Sequence, residues 1–116
     1  MKKRVSIGLI IAFMITIANS GCKKNEYKNI DCGKLNATYN GSIKAIINSN
    51  CTFSSCHSSG SSNGDYTTYN GIKTIADNGK LEDRVLVKKN MPSTGALSLD
   101  DRKKIKCWLE SGSQNN

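Results

Sequence analysis

Apolar residues in this chain form one nearly continuous block near the start and shorter, spaced groups after residue 40. The block runs from Val5 to Ala18 and follows three cations at residues 2–4. Residues 23–40 are polar and show no period, which predicts a flexible spacer. Beyond residue 40, apolar side chains recur at the i, i+3, i+4 spacing of amphipathic helices. The pattern therefore predicts a leader, a linker and a small helical domain, in that order.

Two helices are predicted in the first half of that domain. The first covers residues 42–50, with Ser42 as its N-cap. The second covers about residues 68–78 and ends at Gly79, whereas Gly71 in its interior weakens it by about 1 kcal/mol relative to alanine. Their apolar faces consist of Ile43, Ile46 and Ile47 in the first helix and of Tyr69, Ile72, Ile75 and Ala76 in the second.

A third predicted helix has the clearest boundaries. Ser98 followed by Asp101 resembles a capping box, which marks a helix start, and Gly112 marks the end. Before it, residues 80–89 fit either a helix or an irregular strand, and Pro92 interrupts any regular element. The fold class predicted from these patterns is all-α. The buried face of the final helix is expected to consist of Ile105, Trp108 and Leu109.

Residues 1–21 have the three parts of an export signal, namely a positive start, an apolar run and small residues before Cys22. The run is shorter than the roughly 20 residues that span a bilayer, and an uncleaved anchor helix is the alternative. The end of the signal resembles the lipobox of bacterial lipoproteins through Ser20 and Gly21, whereas Asn19 replaces the usual aliphatic residue. That resemblance implies acylation of Cys22 and attachment to a bacterial envelope membrane on its periplasmic or outer side. Cleavage nearby would leave Cys22 as a thiol.

Charge adds little to this interpretation. The 17 Lys and Arg and 9 Asp and Glu give a net charge of +8, and removal of the three signal cations lowers it to +5. A mildly basic surface could favour an acidic partner or an anionic membrane, but solubility explains it as well. No nucleic-acid-binding motif is present, so a nucleic-acid partner is not expected.

The chain has five cysteines, an odd number that leaves one thiol to explain in an exported protein. Acylation of Cys22 would account for it. Cys32 and Cys107 lie near the ends of the mature chain, and an exported compartment permits disulfides, which predicts a Cys32–Cys107 bridge. Such a bridge could stabilise the domain by roughly 4 kcal/mol. The competing pairing is Cys51–Cys56.

Cys51 and Cys56 stand directly before His57, and two cysteines followed by histidine attach haem in c-type cytochromes. Two thiols must reach two vinyl groups of one porphyrin, and the adjacent imidazole must reach the iron. Four residues separate the cysteines here instead of the usual two, so the extra residues must bulge outwards. With the signal removed, His57 is the sole histidine and Met91 the sole methionine. Met91 beside Pro92 is therefore the candidate for the second ligand of a histidine/methionine pair, although a methionine taken alone is more often a flexible filler of a core.

The segment from about residue 43 to residue 116 is similar to the small class I cytochrome c-like domains of bacterial envelope lipoproteins. The similarity rests on a helix ending at the cysteines (IKAIINSNCTFSSCHSSG), a tyrosine-bearing segment (YTTYNGIKTIADNGKL), a methionine–proline turn (NMPSTGALS) and a closing helix (DDRKKIKCWLESGSQNN). It implies a helical fold around one covalent haem c, with thioethers at Cys51 and Cys56, His57 as the proximal ligand and Met91 as the distal ligand.

This resemblance implies three parts: a lipoprotein signal at 1–21, a lipidated flexible linker at 22–40 and a haem domain at 41–116. The function it implies is membrane-tethered electron transfer with redox partners that the sequence does not name. An enzymatic role is not expected, because Met91 would block the open iron site that a peroxidase needs. Trp108 is expected near the porphyrin or simply in the core.

Other interpretations of the same residues remain open. A haem-free binding module would pair Cys51 with Cys56 and leave His57 on the surface. Zinc would need a fourth ligand, recruited from Cys32 or Cys107, and copper could add Met91. Tyr66 and Tyr69 could hydrogen-bond a haem propionate or only cap the preceding loop.

Overall fold

The protein's structure is a computed structural model that describes residues 25–116. The predicted signal at residues 1–21 and the predicted lipidation site Cys22 lie outside the described residues. The described part is helical and contains no β-strand, which confirms the all-α class for that part. It also contains no helix with the length and apolar character needed to cross a membrane. Three α-helices, α1 (Lys44–Asn50), α2 (Tyr69–Asp77) and α3 (Leu99–Glu110), are joined by a first π-helix (Tyr39–Ile43), a second π-helix (Glu82–Val87) and a 3₁₀ turn (Cys32–Lys34).

The first helical segment begins earlier than the sequence predicted. Thr38, not Ser42, is the capping residue, because its hydroxyl accepts a hydrogen bond from Gly41 N–H at 3.0 Å. The Ser42 hydroxyl instead donates to the Asn36 carbonyl at 2.9 Å. The first π-helix then runs directly into α1. Its wider turn brings Tyr39 into the core beside the predicted isoleucine face.

Helix α2 matches its prediction closely, and the structure explains its interior glycine. Thr68 caps the helix by accepting from Gly71 N–H at 3.2 Å, and Gly79 follows with φ of +78°. A Cβ built on Gly71 would lie 1.8 Å from the Asp65 carbonyl oxygen. Glycine is therefore required because the loop before α2 passes against its first turn.

The ambiguous stretch at residues 80–89 forms the second π-helix. The Lys88 N–H donates to the Asp83 carbonyl at 2.8 Å, five residues earlier, as the wide turn requires. Leu81, Val85 and Leu86 are buried. This helix therefore presents one apolar face to the domain, as an amphipathic element must.

Helix α3 begins at the predicted cap, where Ser98 accepts from Asp101 N–H at 3.1 Å. Ile105 and Trp108 are completely buried. The Trp108 indole N–H donates to the Gln114 carbonyl at 2.9 Å, which ties the C-terminal tail to the core. The rings of Tyr39 and Trp108 lie 6.1 Å apart, so the first π-helix and α3 share this core.

The predicted Cys32–Cys107 disulfide is present in the structure. Cys107 is buried yet does not belong to the main apolar cluster. The bridge holds the 3₁₀ turn against α3. Residues 22–40 were expected to be a flexible linker, but from Asn25 onwards this segment contacts the domain through side chains as well as the disulfide.

Replacement of Gly71 by alanine tests the close approach of the Asp65 carbonyl. Because the added Cβ would overlap that oxygen, we expect Gly71→Ala to lower the free energy of unfolding by about 2 kcal/mol. Urea unfolding followed by Trp108 fluorescence measures the change. Gly33→Ala is the matched control, since a Cβ there meets only Asp31 Oδ1 at 3.5 Å and should change stability by less than about 0.5 kcal/mol. Equal losses in both variants would contradict this account.

Candidate functional site

One cavity of about 430 Å³ opens on the surface of the described domain and is lined by all four residues of the predicted haem site. Its volume lies within the range of about 300–1,000 Å³ that is typical of cofactor pockets. Cys51, Cys56 and His57 line the cavity together with Met91, although 34 residues of sequence separate His57 from Met91. The fold therefore brings the motif and the lone methionine to one place.

The walls of the cavity are mainly apolar side chains from three helices. Ile47 comes from α1, Ile72 from α2 and Val85 from the second π-helix, and all three are buried. The turn at residues 51–57 and the loop at residues 91–94 also contribute to the lining. Each of these helices thus uses one face both for the core and for the cavity.

The wide spacing of the two cysteines is accommodated by a closed turn. The His57 N–H donates to the Cys51 carbonyl at 3.1 Å, and the Cys56 N–H donates to the Phe53 carbonyl at 2.9 Å. In the usual motif the histidine follows the first cysteine by four residues, whereas here it follows by six. The hydrogen bond between residues 57 and 51 brings the histidine backbone next to Cys51 despite the two extra residues.

Hydrogen bonds orient the imidazole of His57. Its Nδ1 lies 3.1 Å from the Asn63 carbonyl oxygen and 3.3 Å from that of Gly64. Carbonyl oxygens only accept, so Nδ1 carries the proton and Nε2 retains the lone pair that a metal ion requires. The Tyr66 ring stacks on the imidazole at 3.9 Å between centroids. The Tyr66 ring therefore covers one face of the His57 imidazole, and the two carbonyl oxygens hold its Nδ1 atom.

Cys51 and Cys56 are free thiols in the structure, and both are partly buried. The Cys51–Cys56 disulfide of the haem-free interpretation is not formed here. Burial, with a smaller effect from neighbouring Cys56, raises the pKa of the Cys51 thiol to about 11. Cys51 is thus a neutral thiol at physiological pH.

Met91 reaches the cavity from a loop that is bonded to the second π-helix. The N–H groups of Asn90 and Met91 both donate to the Arg84 carbonyl, at 3.0 and 3.3 Å. The Met91 side chain is 39 % exposed, and the peptide bond to Pro92 is cis. The thioether therefore stands at the edge of the cavity where solvent has access.

Two cations, Lys80 and Arg84, also line the cavity. Nothing in the sequence marks them as site residues, because two cations four residues apart are typical of any exposed helix surface. Arg84 has Asp83 as its acidic neighbour at 3.8 Å. Both side chains could meet a carboxylate at the cavity mouth.

Two aromatic side chains that were considered for the haem site lie elsewhere. Trp108 does not line the cavity but belongs to the core. The Tyr69 hydroxyl donates to the Ser113 carbonyl at 2.9 Å, which ties α2 to the C-terminal tail. Tyr66, in contrast, does line the cavity, and its ring stacks on the imidazole of His57.

Within residues 25–116, no three His, Cys, Asp or Glu side chains cluster closely enough to hold a metal ion. The described part of the chain places one imidazole and one thioether at a shared cavity. No family model, curated protein or solved structure matches this chain in the comparisons. The functional assignment therefore depends on the geometry of the cavity.

The raised pKa of Cys51 predicts slow thiol modification at neutral pH. In haem-free protein carrying Cys56→Ser, alkylation of Cys51 should accelerate only above the ordinary thiol pKa of about 8.5, because only the thiolate reacts and burial, the larger cause of its raised pKa, remains in this variant. The rate of iodoacetamide labelling measured by mass spectrometry between pH 7 and 11 gives the apparent pKa. The same protein in urea serves as the control and should show an ordinary thiol pKa of about 8.5. A midpoint near 8.5 in the folded protein would contradict burial of this thiol.

Proposed function

We propose that this protein is a mono-haem c-type cytochrome that carries single electrons in the bacterial cell envelope. In this proposal the export signal is removed and a lipid on Cys22 tethers the protein to a membrane. The single observation that carries the proposal is the shared cavity of Cys51, Cys56, His57 and Met91. The motif Cys51, Cys56 and His57 is local in sequence, and the fold brings the distant Met91 to the same cavity.

The residues at the cavity fit the chemical demands of a haem c. Two free thiols are available for thioether bonds to the porphyrin. His57 has a defined tautomer, with Nε2 as the available ligand atom, and Met91 supplies a thioether sulfur. The apolar walls suit a porphyrin ring, since transfer of apolar surface out of water is favourable.

The bound haem would supply one-electron redox chemistry through its iron. The chain would provide the two iron ligands, His57 and Met91, and the hydrogen bonds around them. A histidine/methionine pair raises the reduction potential relative to other axial ligand sets. The hydrogen bonds from His57 Nδ1–H to two carbonyls increase the basicity of the imidazole and hold its orientation.

Lys80 and Arg84 suit the two propionate groups that every haem carries. Charge-assisted hydrogen bonds between a cation and a carboxylate are stronger than neutral ones. Both cations line the cavity, and Lys80 forms no ion pair with any residue in the described part of the chain. In the proposal they orient the porphyrin so that its propionates face this side.

The cavity is open at an edge where Phe53 and Met91 are exposed, with 53 % and 39 % of their surface accessible. An exposed apolar edge beside a haem provides the close approach that electron transfer to a partner protein needs. Small, transient contacts are typical of redox encounters. The proposal therefore assigns electron exchange to this edge rather than catalysis to the iron.

Covalent haem attachment is the first test of the proposal. Protein produced in a host with a haem-attachment system should show a Soret band and keep its haem after acid–acetone extraction. Cys51→Ala and Cys56→Ala should each leave one thioether, and the double variant should release all haem on extraction. Cys32→Ala with Cys107→Ala is the matched control and should retain the haem. A colourless wild-type protein would reject the proposal and favour a haem-free binding module.

The distal ligand is tested separately with Met91→Ala. We expect this variant to keep its covalent haem, since no thioether is lost, but to lose the methionine-to-iron absorption feature of the oxidised protein. Its reduction potential should fall, because methionine ligation raises the potential. Visible spectroscopy and redox titration measure both effects. An unchanged absorption feature would mean that another side chain is the distal ligand.

A further inference from the structure

The first described residues of the chain, 25–27, form a strap that contacts the second π-helix, whose Arg84 and Val85 line the cavity. The Glu26 carboxylate lies between two cations, with Arg102 Nη1 at 2.5 Å and the ammonium of Lys89 also in contact. The Tyr27 hydroxyl donates to the Leu86 carbonyl at 3.2 Å and accepts from Arg102 Nη1 at 2.9 Å. The strap therefore contacts the second π-helix, the segment after it and α3.

The position of Lys89 connects the strap to the predicted distal ligand. Lys89 lies two residues before Met91. Its backbone φ is +53°, a left-handed conformation that residues other than glycine rarely adopt. Such a conformation persists only where the surroundings hold it. The contact with Glu26 holds the side chain of Lys89, and the next two N–H groups bond to the Arg84 carbonyl.

Arg102, the second cation that contacts Glu26, is itself held by the domain. Arg102 is only 8 % exposed, and its Nε donates to the Leu97 carbonyl at 3.0 Å. Its guanidinium also lies over the Tyr27 ring at 5.9 Å from the centroid. An exposed ion pair contributes little, but Glu26 here bonds to a cation that is itself fixed. Lys89 is thereby held relative to α3.

We propose that Glu26 is a positioning residue for Met91, acting through Lys89 to keep the Met91 loop closed against the cavity. This inference rests on the proposed function for its haem readout. Removal of the carboxylate leaves Lys89 and Arg102 as neighbouring cations without their shared counter-ion, and their repulsion favours displacement of Lys89. Glu26 follows Cys22 by four residues, at most about 14 Å of extended chain, so the proposed tether would leave the domain on the side of the Met91 loop.

The test compares Glu26→Gln with Glu110→Gln in full-length, haem-loaded protein. Glu110 pairs with Lys106 at 2.9 Å at the far end of α3, so its substitution removes the same charge away from the strap. Added imidazole competes with Met91 for the iron, and its apparent affinity rises as the closed loop becomes less populated. We expect imidazole to bind Glu26→Gln about fivefold more tightly than wild type, with no change in Glu110→Gln. Equal affinity in the two variants would overturn the proposal.

Lys89→Gln provides a second variant that keeps Arg102 paired with Glu26. Because Lys89 is 38 % exposed, folding should be unaffected, and the same rise in imidazole affinity is expected. The double variant Glu26→Gln/Lys89→Gln should show no further rise if the two residues act as one contact. Additive effects would overturn the proposal.

Hydrogen exchange provides a readout that does not depend on haem. In the full-length chain as purified, the amides of Asn90 and Met91 should exchange faster in Glu26→Gln than in Glu110→Gln, because both bond to the Arg84 carbonyl in the closed loop. Faster exchange in a colourless protein would uphold the strap while the cytochrome proposal fails. Unchanged exchange at these amides would reject the strap in either case.

Discussion

The same few large apolar side chains of this small domain must form both its core and the wall of an open cavity. Ile47, Ile72 and Val85 serve the core on one side and the cavity on the other. On the cavity side these apolar side chains lack the close-packed contacts that a protein interior supplies. A porphyrin seated there, as proposed, would restore those contacts and provide the staple that so small a core needs.

Both ends of the described part of the chain attach to the helices of this small domain. The C-terminal tail bonds to the start of the first π-helix, where the Asn40 N–H donates to the Asn116 carbonyl at 2.8 Å. The Cys32–Cys107 bridge fastens the 3₁₀ turn to α3. The strap adds a polar contact to the wall beside Met91. These contacts link residues that are distant in sequence. They therefore limit the movement of one helix relative to another, which hydrogen bonds within a single helix cannot do.

The candidate site shows how far chemistry can be inferred from residue order. Cys51, Cys56 and His57 are adjacent enough to be identified as a motif, and Met91 is identified because no other methionine follows the signal. Lys80 and Arg84 carry no comparable signal, since two cations four residues apart are common on any exposed helix. Trp108 was predicted on the buried face of α3, either beside the porphyrin or simply in the core, and the structure places it in the core.

The sequence alone determined the helical class, the face of α3 and the pairing of Cys32 with Cys107, because helix periodicity, caps and cysteine positions are local or countable features. Tertiary structure decided the cap at Thr38, the need for glycine at position 71 and the attachment of residues 25–27 to Arg102. Each depends on backbone or side chains that meet only after folding, such as the Asp65 carbonyl against α2. A polar segment without periodicity resembles a free linker in sequence, and its place is set by partners that it meets only in the folded domain, among them the buried Arg102.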